Sequence, residues 1–133
     1  MLEHLEFQLS AYTDPADVFH DMDQGVKGFV VVDARNARAY ERGHVPGAIS
    51  LPHSQMTEAS TSNLSRDLVY IVYCDGIGCN ASTHGAYKLT RLGFKAKEMI
   101  GGLDFWVRDG YALGTGPQEQ STGSIVEACG CHG

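Results

Sequence analysis

The chain has 133 residues, and 43% of them are hydrophobic, which is enough to form a single domain with one core. Its formal net charge at pH 7 is -6, because ten Lys and Arg residues are scattered among sixteen Asp and Glu residues. Nucleic acids and anionic membranes select clustered basic side chains, so the composition argues against both as partners.

The N-terminal segment 1–7 lacks the basic segment and apolar stretch of a secretory signal, and no run of about 18 apolar residues could span a membrane. We therefore expect a soluble, cytoplasmic protein. The four cysteines form two close pairs, Cys74 with Cys79 and Cys129 with Cys131. In a reducing compartment such cysteines are more often reactive, metal-binding or buried than disulfide-bonded.

The first predicted elements are a helix and a buried strand. Asp14 can cap free N–H groups and Pro15 suits the first helical position, so a helix is predicted from Pro15 to about Gln24. The β-branched run 29–32 predicts a strand that is covered on both faces of a parallel sheet. This strand ends at Asp33, which places that carboxylate at the edge of the sheet where sites form.

The middle of the chain leads to a second buried strand. Segment 36–42 predicts a short helix, and 44–52 predicts a turn, a short strand and another turn. The polar stretch 54–64 is ambiguous, and we interpret it as a helix. Segment 68–73 is uninterrupted apolar or aromatic, so it predicts a central strand with Cys74 at its carboxyl end.

The last part of the chain continues the alternation of helices and strands. A helix is predicted over 81–92, followed by a strand over 96–100 and a helical turn that begins at Gly101. This order predicts an α/β domain over residues 1–113, with a mostly parallel sheet and helices on both faces. From 114 to 133, Gly, Ser, Thr, Gln and Pro dominate, which predicts a flexible C-terminal tail.

The loop after the central strand carries the candidate chemistry, and its sequence is Cys74-Asp75-Gly76-Ile77-Gly78-Cys79-Asn80. Two glycines allow the backbone to curl so that successive N–H groups point at one centre. A sulfur at that centre would feel the amides and the positive end of the next helix, which favours a thiolate or a persulfide anion. The alternative is that Cys74 is a buried and inert thiol, as free cysteines often are.

Four segments in order resemble the single-domain rhodaneses, a sulfurtransferase family. They are Val31-Val32-Asp33-Ala34-Arg35, the run from Tyr40 to Ile49, the Cys74 loop, and Gly101-Gly102-Leu103 with Trp106 and Gly110-Tyr111. The resemblance covers roughly residues 14–113. It implies a small rhodanese-like domain with a mostly parallel, five-stranded sheet, and no metal or organic cofactor.

The resemblance also implies a ping-pong reaction, in which Cys74 takes sulfane sulfur from a donor and passes the resulting persulfide sulfur to cyanide or a thiol. Relatives that act on thiosulfate often carry Arg or Lys in the loop, whereas this loop has none and contains Asp75. We therefore expect thiosulfate to be a poor donor and a persulfidic protein or small thiol to be preferred. Asn80 stands where related phosphatases carry a phosphate-clamping Arg.

Several other residues are open to two interpretations. Cys79 either resolves an oxidised or persulfidated Cys74 as a disulfide or is a small side chain that fits the end of the loop. Asp33 is expected to hydrogen-bond backbone near the loop, and His84 could approach the sulfur from the following helix. His44 is expected to be a structural residue of its turn.

The tail motif Cys129-Gly130-Cys131-His132 could bind a soft metal or relay sulfur, and the alternative is an unstructured tail. The rival function from another class is a non-catalytic binding or redox-sensing module that uses Cys74 and Cys79. The predicted partners of the favoured function are a small sulfur donor and a thiol acceptor.

Overall fold

The computed structural model describes residues 1–118. Its strands are β1 (Tyr12–Thr13), β2 (Phe29–Asp33), β3 (Ile49–Ser50), β4 (Val69–Tyr73) and β5 (Lys95–Met99). Its α-helices are α1 (Leu2–Ala11), α2 (Pro15–Asp23), α3 (Ala37–Arg42), α4 (Ala81–Arg91) and α5 (Gly102–Arg108), with a 3-10 turn at His53–Gln55. Within residues 1–118 no helix is both long and apolar enough to cross a lipid bilayer.

The five strands form one sheet in the order β1-β5-β4-β2-β3, and every neighbouring pair is parallel. β4 lies at the centre, where Val69 to Tyr73 pair with Phe29 to Asp33 of β2. The apolar runs of β2 and β4 therefore occupy the positions that are covered on both faces. The predicted five-stranded α/β architecture is confirmed.

Helices cover both faces of the sheet and form two cores. On one face, Leu89 of α4 packs with side chains of β2 and β4, including Val30 and Val72. On the other face, Val18 of α2, Tyr40 of α3 and Trp106 of α5 pack with Val31, Ile71 and Tyr73. Alternate side chains of one strand thus enter opposite cores, as the twofold repeat of a strand requires.

The predicted helix starts are confirmed by their caps. The side chain of Asp14 accepts a hydrogen bond from the N–H of Asp17 at 2.8 Å, and Pro15 is the first residue of α2. Asn36 caps α3 in the same way by accepting from the N–H of Ala39 at 2.9 Å. These short-range interactions explain why both starts could be located from sequence.

Two segments differ from the sequence-based interpretation. α1 and β1 were not predicted, since α1 buries none of its residues and so lacks the apolar stripe that marks a packed helix. Segment 54–64 is not an α-helix: only His53–Gln55 forms a 3-10 turn, and turns follow it. Thr57 and Ser60 exchange side-chain to backbone hydrogen bonds at 2.9 and 3.0 Å, which compete with helical hydrogen bonds.

Residues 114–118, which follow the predicted domain boundary at residue 113, contact the domain. The backbone of Gly114 exchanges hydrogen bonds with that of His44 at 2.8 and 3.0 Å, and the N–H of Gly116 donates to the carbonyl of Glu41 at 2.8 Å. Gln118 accepts from the N–H of Ser50 through its side chain. Residues 114–118 therefore lie along the domain, because strand-like backbone pairing overrides their loop-forming composition. The tail motif 129–132 lies outside the described residues.

Candidate active site

The loop 74–80 connects β4 to α4 at the carboxyl end of the central strand, which is the edge where parallel sheets bind ligands. The first turn of α5 holds it in place. The N–H of Leu103 donates to the carbonyl of Cys74 at 2.9 Å, and the N–H of Asp104 donates to the carbonyl of Asp75 at 2.8 Å. Gly102 lies directly against the Cys74 carbonyl, where a Cβ atom would collide with it.

Cys74 is almost fully buried, with 2% of the residue exposed. Its thiol donates to the carbonyl of Cys79 at 3.2 Å and contacts the hydroxyl of Ser82 at 3.4 Å. Burial, together with the hydrogen bond to Cys79, raises the pKa of Cys74 above its ordinary value of 9.0. The hydroxyl and the N–H of Ser82 oppose this shift but do not outweigh it. Desolvation thus disfavours the charged form of Cys74 in this structure, and the amide-stabilised thiolate expected from the sequence stays a prediction.

Cys79 is half-buried, and its pKa is shifted downward, in the direction opposite to that of Cys74. Burial by itself would raise its pKa, but the adjacent Cys74 side chain and the N–H groups of Ala81 and Asp75 lower the pKa below 9.0, against the charge of the Asp75 carboxylate. Both cysteines are free thiols. Amides predicted to surround Cys74 therefore stabilise negative charge on Cys79 instead.

An open concavity of about 570 Å³ lies over the loop. Its walls are formed by the loop residues Asp75, Gly76, Ile77, Gly78 and Cys79, and by Leu103, Asp104 and Val107 of α5. Cys79 belongs to this lining and Cys74 does not. The lining contains two carboxylates and no Lys or Arg, and Ile77 at the loop's tip is 76% exposed. This surface suits a neutral or apolar group better than a small dianion.

Arg35 is a functional candidate that the sequence reasoning missed. Its side chain is only 8% exposed, and Nη2 lies 2.7 Å from Oδ2 of Asp33 while Nη1 lies 3.2 Å from Oδ1 of Asp75. Nη2 also donates to the carbonyl of Gly43 at 2.6 Å. The guanidinium therefore ties β2 to the first residue after Cys74. The signal available in the sequence was Asp33-x-Arg35 directly after a buried strand.

Asp33 supports the loop indirectly. It is fully buried and accepts from the N–H of Arg35 at 2.9 Å and from the hydroxyl of Tyr73 at 2.7 Å. The predicted backbone hydrogen bond of Asp33 is therefore to Arg35, and its link to the Cys74 loop passes through the Arg35 side chain. Burial raises the pKa of Tyr73 well above 10.0, so its hydroxyl remains a proton donor.

The structure places the remaining candidates away from the sulfur. The exposed ring of His84 stacks on that of His53 with centroids 5.6 Å apart, and Ser82 occupies the place beside Cys74 that His84 was expected to approach. Asn80 precedes α4 without a capping hydrogen bond from its side chain. His44 is structural, as predicted, since its Nδ1 lies 2.7 Å from the carbonyl of Tyr40.

Ser82 itself was not singled out from sequence. Its hydroxyl contacts Cys74 and also donates to Glu98 of β5 at 3.2 Å, so it joins the loop to the neighbouring strand. A serine near the start of a helix after a reactive loop is a weak signal, because Ser is common there for capping alone. Among residues 1–118, no group of three or more His, Cys, Asp and Glu side chains is arranged to hold a metal ion.

Together, fold and site define a class: a small, fully parallel α/β domain with a cysteine at the start of the loop that follows its central strand. The chain belongs to the rhodanese-like domain family, which it matches over residues 16–109. The family resemblance noted on the sequence is thereby confirmed.

Solved structures and a curated relative agree with this assignment. A protein from Bacillus halodurans is 40% identical, with a TM-score of 0.84 over 86% of this chain and 83% of that one. A protein from Lactobacillus plantarum is 30% identical, with a TM-score of 0.71 over 84% and 94%. The tRNA sulfurtransferase of Pyrobaculum aerophilum is 33% identical over 88 residues, which are 66% of this chain. The matched part is only 17% of that relative's length. The similarity supports sulfurtransferase activity for the family and does not extend to the relative's substrate.

Proposed function

We propose that this protein is a sulfurtransferase that carries sulfane sulfur as a persulfide on Cys74 and passes it to a thiol or cyanide. The observation that carries the proposal is the position of Cys74, at the start of a glycine-containing loop after the central strand of a rhodanese-like domain. Over the whole loading reaction the outer sulfur of a donor persulfide comes to Cys74, the donor S–S bond breaks, and the donor leaves as a thiol. The step is redox-neutral, so the proposed reaction uses no metal or organic cofactor.

We further propose that thiosulfate is a poor donor and that a persulfidic protein or a small persulfide is preferred. The concavity presents Asp75 and Asp104 and no basic side chain. The nearby guanidinium of Arg35 already faces Asp33, Asp75 and a backbone carbonyl. A dianionic donor would therefore lose hydration without gaining a cation partner.

A nucleic acid substrate is not proposed. The tRNA named for the Pyrobaculum aerophilum protein belongs to a chain of which this domain matches only 17%. The present chain has a net charge of -6, and phosphate backbones are bound through clustered Lys and Arg.

The second candidate is a redox-sensing module. It is favoured by the contact between the two cysteines of the loop, since the Cys74 thiol donates to the Cys79 carbonyl, and by their opposite pKa shifts. Such a pair could form an internal disulfide on oxidation, without sulfur transfer.

One experiment separates the two candidates. The purified protein is incubated with glutathione persulfide, and peptide mass spectrometry asks whether one sulfur atom is added and on which cysteine. A sulfur on Cys74 that leaves when excess thiol is added supports the carrier, whereas a disulfide without any added sulfur supports the sensor. The double variant with Cys74→Ser and Cys79→Ser is the control, and its loop should pass no sulfur to the acceptor.

The donor preference is tested by steady-state transfer to cyanide. Thiosulfate should be turned over at least about tenfold more slowly than glutathione persulfide, as expected if an unpaired anion costs more than about 1.4 kcal/mol in the site. Equal rates with the two donors would contradict the charge argument and leave the sulfurtransferase assignment unaffected.

A further inference from the structure

We propose that Cys79 is a second reacting thiol of this site, which takes the sulfur from the donor in the concavity and hands it to Cys74. The inference rests on the proposed sulfurtransferase function and assigns an order to its two cysteines. Cys79 receives the sulfur first, and Cys74 stores it.

The first support is access. Cys79 lines the open concavity together with Asp75, Ile77 and Asp104, whereas Cys74 is 2% exposed and is absent from the lining. A donor sulfur must approach within bonding distance of the thiolate that attacks it. A donor in the concavity therefore meets Cys79 before Cys74.

The second support is the chemical state of the two thiols. Burial raises the pKa of Cys79, but the neighbouring Cys74 side chain and the N–H groups of Ala81 and Asp75 lower it below its ordinary value. These donors stabilise the Cys79 thiolate, which is the form that attacks sulfur. Cys74, in contrast, is held as a protonated donor in a buried position.

The third support is the direction in which sulfur would then move. A thiol with a lower pKa is the better leaving group, and a thiol with a higher pKa is the stronger intrinsic nucleophile once deprotonated. The pKa of Cys79 is lowered and that of Cys74 is raised, so transfer from Cys79 to Cys74 follows the favoured direction. The two residues are in direct contact, because the Cys74 thiol donates to the backbone carbonyl of Cys79 at 3.2 Å.

Both steps balance without an oxidant or reductant. In the first, the Cys79 thiolate attacks the outer sulfur of the donor persulfide, the donor S–S bond breaks, and the donor leaves as a thiol or thiolate. In the second, the Cys74 sulfur attacks the outer sulfur of the Cys79 persulfide, and the S–S bond to Cys79 breaks. The Cys74 thiol proton passes to the transferred sulfur, and Cys79 leaves as the thiolate that the loop amides stabilise.

The test uses the full chain with Cys129→Ser and Cys131→Ser, so that Cys74 and Cys79 are the only thiols. Two further variants are made in this background, Cys79→Ser and Cys74→Ser. Serine keeps the size and the hydrogen-bonding capacity of the side chain. Each protein is mixed with glutathione persulfide, quenched at a series of times and analysed by peptide mass spectrometry.

With both loop thiols present, the sulfur should accumulate on Cys74. The Cys74→Ser protein should trap one sulfur on Cys79, and the Cys79→Ser protein should load Cys74 at least about tenfold more slowly, a barrier increase of about 1.4 kcal/mol. Circular dichroism checks the folding of both variants. If Cys79→Ser does not fold, the trapped sulfur in Cys74→Ser decides the question.

The inference is overturned if Cys79→Ser loads Cys74 as fast as the protein with both thiols. It is also overturned if Cys74→Ser leaves Cys79 unmodified while the two-thiol protein loads Cys74. Either result leaves the proposed function standing. No added sulfur on either thiol of the two-thiol protein would instead contradict the proposed function itself.

Discussion

At the scale of single residues, the site depends on a buried polar network centred on Asp33. Its carboxylate is fully buried and accepts hydrogen bonds from the guanidinium of Arg35 and from the hydroxyl of Tyr73. That hydroxyl in turn accepts from the N–H of Val45 at 3.1 Å. A buried charge or donor that loses its partner costs far more than a surface one. The network therefore stabilises the sheet edge that carries Arg35 and, through it, Asp75.

Tyr73→Phe tests this network. The change leaves the Val45 N–H without its acceptor and removes one donor from Asp33, so we expect a loss of about 1–3 kcal/mol in the free energy of unfolding. Tyr87→Phe is the matched control, because Tyr87 is 57% exposed and its hydroxyl, within residues 1–118, accepts from the exposed Arg91 alone, so a change below about 0.5 kcal/mol is expected. Urea denaturation measures both. Equal losses in the two variants would contradict the role of the Asp33 network.

Alkylation by iodoacetamide tests the acidities of the two thiols. Only the thiolate reacts, so a lowered pKa keeps a cysteine reactive at lower pH and a raised pKa delays its reaction to higher pH. Cys79 should react first at neutral pH, with a rate that rises through a midpoint below 9.0. Cys74 should react slowly, with a midpoint above 9.0 and additional shielding by burial. Preferential labelling of Cys74 at neutral pH would contradict this order.

At the scale of elements, α5 is the support of the loop rather than a separate surface helix. Its first amides bind the carbonyls of Cys74 and Asp75, and Gly102 allows the close approach. Gly102 has a φ of 58°, in the left-handed region that glycine occupies without penalty. The glycines that were recognised in sequence as the start of a helical turn thus also shape the site.

Gly102→Ala should destabilise the protein more than Gly110→Ala. Both glycines have positive φ, so an alanine at either position costs about 1–2 kcal/mol of backbone strain. At Gly102 the added Cβ would also collide with the loop backbone, including the N atom of Gly76 at 2.9 Å, whereas at Gly110 it would meet no described residue within 4 Å beyond its chain neighbours. We expect an additional loss of at least about 1 kcal/mol at Gly102. Thermal and urea denaturation measure the difference, and equal losses would contradict the loop contact.

At the scale of the whole molecule, the sheet is the stable part and α1 is weakly packed against it. α1 buries no residue, and Leu2 and Leu9 are 70% and 75% exposed. Its contacts with the rest of the domain include a hydrogen bond from Lys97 to the carbonyl of Leu9 at 3.2 Å. A ten-residue helix without a packed face is marginal in water.

Hydrogen exchange should therefore differ strongly between elements. Amides of α1 should exchange within the first time points, whereas amides of β4 should exchange only on global unfolding, because β4 is paired on both sides and covered on both faces. α4 is the internal control, since it is a helix of similar length with buried residues. Protection of α1 equal to that of β4 would show that the helix packs more tightly than its exposure indicates.

The sequence by itself determined the features that depend on local interactions. Asp14 and Pro15 located the start of α2, the segment 36–42 located α3, the apolar runs located β2 and β4, and the alternation of helices and strands predicted a parallel sheet. The sequence also placed Cys74 at the start of a loop, because it directly follows the buried strand β4 and the chain leaves the sheet there. Each of these inferences uses residues that are neighbours in the chain.

Only the tertiary structure decided how the loop is held and which thiol is acidic. Arg35 reaches Asp75 across 40 residues of sequence, and α5 binds the loop from a later part of the chain. The burial of Cys74 and the amides around Cys79 likewise depend on how α4 and the loop pack. A sulfur's acidity is set by desolvation and by hydrogen-bond donors in space, and neither is encoded in the spacing of residues along the chain.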